Sequence, residues 1–262
     1  YRHVTGVQTC ALPIWQIAII GSGPAGITIS IILAQRGYNI TLFESREQIG
    51  GVLRYGIPEF RLPKTALDRY KEKLLQLGVK IRPNTVIGHG GLVIDDLFRD
   101  GYQAIFIGTG VWRPNSLGIK GESLGNVHFA INYLKNPDVY DLGESVIIIG
   151  AGNAAMDVAR TVIRKGVRSV TVFFLMGDEQ LTASQTEVAY AKVEGVKFVY
   201  FKKPLEITED GVIFADTKLI ENNDGTYGYE EIPDTGKLHK SDSVIVSISQ
   251  GPRNYIVSTT NG

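Results

Sequence analysis

Gly21, Gly23 and Gly26 close a short apolar run, Gln16 to Ile20, and open a second apolar stretch from Ala25 to Gln35. In Gly21-Ser22-Gly23-Pro24-Ala25-Gly26 each glycine has a job if a strand ends and a helix begins there. The first permits the tight turn, the second lets backbone approach a pyrophosphate, and the third lets helix pack on strand. The helix start then offers free N–H groups and a partial positive charge to phosphate. Glu44 stands 18 residues past Gly26, at the tip of the β-branched run Asn39 to Phe43. A carboxylate in that place can hydrogen-bond both ribose hydroxyls of an adenosine. The spacing points to dinucleotide binding, with a plain structural turn as the alternative.

The pattern returns at Gly150, Gly152 and Ala155, with Asn153 and Ala154 between them, after the apolar run Ser145 to Ile149. Gly21 to Glu44 spans 24 residues and Gly150 to Phe174 spans 25, so the two units align with one extra loop residue. Phe174 falls where Glu44 stands in the first unit. The second ribose therefore lacks a carboxylate acceptor, and adenine can pack on aromatic and apolar side chains instead. Two such units favour a protein of two nucleotides, unless the second is a decayed duplicate.

The elements that must carry these residues follow from period and punctuation. Gln16 to Ile20 and Asn39 to Phe43 read as buried parallel strands around a helix closed by Gly37, one βαβ unit. Pro63 to Leu77 is an amphipathic helix with Leu67, Tyr70, Leu74 and Leu77 on one face. Val79 to Arg82, Thr85 to Ile87 and Ala104 to Ile107 read as strands, and Leu92 to Phe98 as a brief helix. The second unit adds a helix to about Lys165, a strand Ser169 to Phe174, a helix Thr182 to Glu194 and a strand Val196 to Tyr200. Glu206 to Ile232, broken by Asp210-Gly211 and Asp224-Gly225, reads as antiparallel hairpins, and Ser243 to Ile248 as a further apolar strand.

Composition bounds the rest. A chain of 262 residues makes one large or two modest domains, and 44% apolar with 21% charged residues excludes disorder. Lys+Arg and Asp+Glu balance at 27 each, which advertises no basic face to nucleic acid or anionic lipid. The single Cys10 excludes an internal disulfide, a CxxC pair or a multi-cysteine metal site, and a reducing cytoplasm is the default. No charge occurs from Val4 to Gln35, yet three glycines and a proline at its centre suit a turn better than a membrane span. Tyr1 to Ile14 has no period and is expected to be a non-native leader outside the core. His89 and His128 have no second ligand nearby, so no metal site is expected. Asp157 and Arg160, at i and i+3, read as a helix-surface pair.

From Trp15 to Gly262 the chain resembles the small-subunit-type flavoproteins of glutamate synthase. It is similar also to NADPH-dependent ferredoxin oxidoreductase subunits and the flavin part of dihydropyrimidine dehydrogenase. The marks are AIIGSGPAG from Ala18, FES ending the second strand, GGVLRYGIPEFRLPK from Gly50 to Lys64, IFIGTG from Ile105 and VIIIGAGNAAMDVART from Val146. The Gly50 to Lys64 stretch is far more specific than any glycine loop. The resemblance implies an α/β fold of two Rossmann-like domains of the glutathione/thioredoxin-reductase type. The NAD(P) domain, 116–242, is inserted in an FAD domain of 15–115 and 243–262, in three ββα layers with a β-meander.

It further implies FAD on Ser22, Gly23, Ala25, Glu44, Gly51, Val52, Arg61, Val86 and Thr109. A solvated charge is the alternative for Arg61, and core packing for Val52 and Val86. NAD(P)H is implied on Gly150, Gly152, Asn153, Ala154 and Ala155. No residue is named catalytic, because the flavin carries the hydride chemistry.

Two departures from the family stand out. Leu175 and Met176 align with paired arginines that clamp the NADPH 2′-phosphate, and Asp178 and Glu179 follow, so NADH is slightly favoured. Arg160 or Arg164 can substitute only by reaching over from the helix. Related proteins also carry an N-terminal iron–sulfur domain and a flavin-closing Gly-Asp segment. Neither is expected in this chain, which reads as a fragment working with an iron–sulfur or amidotransferase-type partner. The alternatives are a dinucleotide-binding module without chemistry and a thioredoxin-reductase-type enzyme, the latter disfavoured for want of CxxC.

Overall fold

A computed structural model describes residues 15–88, 90–222, 224–252 and 256. The expected leader, with Cys10, and His89 lie outside the described residues. The chain divides into two compact units.

The first unit takes in 15–54, 63–110 and Ile256 of the described residues. β1 (Gln16–Ile20), α1 (Pro24–Gln35) and β2 (Asn39–Phe43) form the first βαβ unit. α2 (Val52–Tyr55), α3 (Thr65–Gln76), β3 (Lys80–Arg82), α4 (Ile94–Arg99) and β4 (Ala104–Ile107) follow. The sheet is parallel in the order β3-β2-β1-β4. It buries both faces. Ile17 and Ile19 pack with Ile27 and Leu74 on one side, and Ala18 and Ile20 with Phe43, Leu97 and Ile256 on the other. A wholly buried residue such as Ile19 contributes about 1.5–3 kcal/mol relative to exposure. The expected strand Thr85 to Ile87 does not form. Thr85 N–H donates to the Glu44 carbonyl at 2.8 Å, and Ile87 makes only a single bridge to Leu92.

The second unit contains 55–62 and 111–252. β5 (Arg113–Pro114), β6 (Val127–Phe129) and α5 (Ala130–Lys135) precede β7 (Ser145–Ile149), α6 (Asn153–Arg164) and β8 (Ser169–Phe173). α7 (Gln185–Val193) and β9 (Lys197–Val199) complete the nucleotide-type half. α7 starts later than expected because Ser184 caps it, accepting from Glu187 N–H at 3.4 Å. A meander follows: β10 (Lys202–Thr208), β11 (Gly211–Glu221), β12 (Tyr227–Glu231) and β13 (Lys237–Lys240), with β10, β12 and β13 each antiparallel to β11. β14 (Ser243–Val246) then re-enters the parallel sheet, ordered β6-β14-β7-β8-β9, and β15 (Gln250–Gly251) pairs with β5. Val146, Ile148, Val170 and Val172 face the helices, while Ile147, Ile149 and Phe173 face meander residues Ile207, Val212 and Phe214. The unit therefore has three layers: meander, parallel sheet and helices.

The expected domain limits need three corrections, the first being that 111–115, expected in the first domain, group with the second unit. Ser243–Val246 was assigned to the first domain, yet β14 pairs in parallel with both β6 and β7. Residues 55–62 were also assigned there, and they group with the second unit. Among the described residues no helix is long and apolar enough to cross a membrane.

Candidate functional site

The glycine loops lie at the carboxyl ends of β1 and β7, where the neighbouring strands diverge in connection: β2 on one side of β1 and β4 on the other, β8 and β14 about β7. Open α/β sheets bind ligands at this switch point. The first glycine is held the same way in both. Gly21 N–H donates to Phe43 O at 2.8 Å and Gly150 N–H to Phe173 O at 3.1 Å. A Cβ on Gly21 would stand 2.5 Å from Gly108 O, and one on Gly150 2.2 Å from Ser247 O, both carbonyls just past the adjacent strand. At Gly26 a Cβ would meet Gly21 O at 1.9 Å, so helix and strand touch there. Ala155 takes the corresponding place in the second unit, wholly buried in the first turn of α6.

Gly23 differs. A Cβ on it would meet nothing within 4 Å among the described residues, so none of them explains the glycine, and the space suits a ligand backbone. It is the N-cap of α1, with no side-chain cap and Pro24 in the first turn. Ser22 is buried, and its carbonyl accepts Gly50 N–H at 2.9 Å. That bond presses the Gly50-Gly51 turn onto the loop, since a Cβ on Gly51 would stand 2.7 Å from Gly23 Cα. Glu44 is 5% exposed. Its Oε2 accepts Ser22 N–H at 3.1 Å and the Ser22 hydroxyl, and its Oε1 accepts Ser45 Oγ at 3.1 Å and Arg46 N–H at 2.9 Å. Val52 and Val86 are 40% and 48% exposed, so neither is core, and Thr109 is exposed beyond β4. These residues and the loop all belong to the first unit.

Arg61 is engaged by two carboxylates. It lies in the second unit, where its Nη1 donates to Asp157 Oδ2 at 2.7 Å and its Nε stands 3.1 Å from Glu187 Oε1. The solvated-charge alternative does not describe this pairing. Asp157 and Arg160 also fail to form the expected surface pair. Asp157 is buried, and Arg160 is held by Glu187 and Glu194 at 2.8 and 2.9 Å with its guanidinium over the Phe60 and Tyr190 rings.

Burial pushes the Asp157 carboxyl up to about 6; Arg61 pulls against it, Glu187 adds to it and Arg160 opposes. Its Oδ1 is buried without a hydrogen-bond partner among the described residues. A carboxyl raised above its unfolded value of 3.8 stabilises the fold fully below that pH, and the contribution is lost as pH rises through about 6. Asp157→Asn is therefore expected to gain several degrees in melting temperature over the native chain at pH 8, and little at pH 4. Thermal unfolding across pH 4–8 checks this. A variant less stable at pH 8 would show the Arg61 bond outweighing burial.

The second loop opens on a cleft of about 500 Å³, within the usual range of ligand pockets. Gly150, Gly152, Asn153, Ala154, Phe174 and Leu175 line it, together with Thr182, Lys202 and Ser247, which the sequence reading did not single out. Asn153 Oδ1 accepts Ser184 N–H at 2.9 Å, so that carbonyl is committed to the loop before α7. The strand-tip residues are fixed from the meander side. Phe174 O accepts Lys202 N–H at 3.0 Å, and Leu175 O accepts Thr217 Oγ1 at 2.7 Å. α6 has no side-chain cap at Gly152, leaving its start to a ligand. A shallower depression of about 370 Å³ lies at the opposite, amino end of β14; its Asp242 carboxylate already accepts Glu144 N–H, Ser145 N–H and the Ser145 hydroxyl. Among the described residues no group of His, Cys, Asp and Glu is placed to hold a metal ion.

A family model for pyridine nucleotide-disulphide oxidoreductases matches residues 15–259. The chain belongs to that family. Among curated relatives of this oxidoreductase, the glutamate synthase (NADPH) small chain of Halomonas elongata is 33% identical over 255 residues. The match covers 90% of this chain and 54% of the relative. The NADP(+)-dependent formate dehydrogenase subunit beta of Moorella thermoacetica is 34% identical over 247 residues, covering 90% and 35%. The chain thus spans about half or less of the length of these relatives. FprA from Mycobacterium tuberculosis, solved in complex with NADPH, superposes with a TM-score of 0.78 at 16% identity, over 90% of this chain and 71% of that one. That likeness confirms the two-domain Rossmann-like fold.

Proposed function

We propose that this chain is the FAD- and NAD(P)H-binding part of an oxidoreductase resembling the glutamate synthase small subunit, passing hydride from reduced nicotinamide to FAD and electrons onward to a partner. The observation that carries the reading is the pair of glycine loops at two switch points, one with a carboxylate at the next strand tip and one without. FAD, when bound, supplies the centre that accepts hydride and releases electrons. The open face of Gly23 and the uncapped start of α1 receive its pyrophosphate, Glu44 its adenosine ribose, and Val52 and Val86 offer apolar surface. Gly152, Asn153 and Ala154 receive the nicotinamide dinucleotide at the start of α6, with Phe174 and Leu175 beside its adenosine.

NADH serves at least as well as NADPH in this reading. Leu175 lines the cleft without charge, and Arg160 and Arg164 are held by Glu187 and Glu194. The partner is of iron–sulfur or amidotransferase type, in keeping with relatives named as a small chain and a subunit beta. The setting is the cytoplasm.

The test is to incubate the chain with FAD, remove free flavin by gel filtration and mix it anaerobically with each reduced nucleotide in a stopped-flow spectrophotometer. Retained yellow colour bleached by NADH at least as fast as by NADPH is the expected result. No retained flavin, or retained flavin that neither nucleotide bleaches, overturns the function. Bleaching by NADPH about tenfold faster at subsaturating concentration overturns the cofactor preference.

A further inference from the structure

Lys202 is the sole cationic side chain among the described residues lining the second cleft, and no acidic side chain lines it. Its backbone is bonded to Phe174, the residue standing where the first unit has Glu44, so it rises beside the strand tip that meets an adenosine ribose. Directly opposite on β11 is Asp216, in register with Lys202, and the two side chains form an ion pair. Lys202 is 19% exposed and Asp216 43%. The other charges near the strand tip are committed elsewhere. Asp178, which the sequence set against a 2′-phosphate, accepts from Lys192 at 3.2 Å and from the Tyr200 hydroxyl, and it does not line the cleft. His239 packs edge-on to Phe173 with ring centroids 4.9 Å apart. Burial, with Lys202 and Lys237 nearby, lowers its pKa and keeps it neutral at pH 7.

We propose that Lys202 and Asp216 together read the 2′ position of the bound adenosine ribose, Asp216 restraining a cation that a 2′-phosphate recruits. The inference rests on the nucleotide reading of this cleft. A half-exposed carboxylate holds a lysine weakly, and a phosphate dianion in the cleft competes for it. With Asp216 in place the pair is neutral towards an unphosphorylated ribose, and the cleft keeps little preference. Freeing Lys202 shifts the preference to the phosphorylated form.

The experiment titrates the full chain calorimetrically with 2′,5′-ADP and with 5′-AMP, so that neither flavin nor turnover enters. Asp216→Asn is expected to tighten 2′,5′-ADP at least fivefold and to leave 5′-AMP within about twofold. Lys202→Gln is expected to weaken 2′,5′-ADP and, in the double variant, to erase the gain from Asp216→Asn. Lys202→Arg keeps the cation and most of the 2′,5′-ADP affinity, which separates charge from folding. A gain that persists in the double variant, or equal shifts for both ligands, overturns the inference while the nucleotide reading stands. If neither fragment binds the native chain at millimolar concentration, that reading falls and the inference with it.

Discussion

Glu44→Ala is expected to lower the melting temperature of the cofactor-free chain by on the order of 10 °C and to weaken FAD at least tenfold. The carboxylate is buried and accepts four hydrogen bonds, two from Ser22 and one each from Ser45 and Arg46. A carboxylate has about four lone-pair positions, so all are in use within the loop. Alanine leaves the buried Ser22 N–H and hydroxyl without acceptor, at about 1–3 kcal/mol for each buried group. Ribose hydroxyls that bind here must take over from the Ser22 hydroxyl, so Glu44 both shapes the empty loop and receives the ligand. The two roles separate by linkage, because a ligand that binds only the folded chain raises its melting temperature with concentration. Both the cofactor-free melting temperature and the rise produced by FAD should fall in the variant. An unaltered starting temperature would mean the four bonds do not hold the loop. An unaltered rise would remove Glu44 from the FAD site.

What the sequence made legible is local. β1–α1–β2 and β7–α6–β8 declared themselves because strands buried on both faces are mainly apolar, and β1 and β7 each end in a turn that only glycine takes without strain. The start of α7 was also legible, in Ser184 followed three residues later by Glu187, a better signal than Thr182. What stayed hidden is non-local. Ser243–Val246 is an apolar run that suits any parallel sheet, and nothing within it says that its neighbours are β6 and β7. The pairing of Arg61 stayed hidden because its acceptor, Asp157, lies 96 residues away. Lys202 and Asp216 flank one hairpin, but the register between β10 and β11 shifts between Pro204 and Glu206. Counting outward from the Asp210-Gly211 turn therefore does not set them opposite each other, and Lys202 went unnoticed.

Gly21→Ala and Gly23→Ala, two residues apart in one loop, are expected to fail in opposite ways. Gly21 has φ of +95°, and its added methyl carbon would meet Gly108 O at 2.5 Å, a backbone atom that cannot swing aside. Left-handed backbone costs a non-glycine residue about 1–3 kcal/mol and overpacking a similar amount, so the first unit should melt on the order of 10 °C lower. Gly150→Ala, at φ +127° and 2.2 Å from Ser247 O, should do the same to the second unit. Gly23 sits at φ −69° and ψ −174°, open to any residue, with nothing among the described residues near its Cβ position. Its alanine variant should fold with stability within about 0.5 kcal/mol of the native chain. The methyl, however, stands on the face where a pyrophosphate must approach the backbone, and FAD affinity should fall at least tenfold. Melting of the cofactor-free chains, with FAD titration by flavin fluorescence, checks both halves. Native FAD affinity in Gly23→Ala would mean that the glycine is there for neither packing nor phosphate, and the first cofactor site would have to be sought elsewhere in the unit.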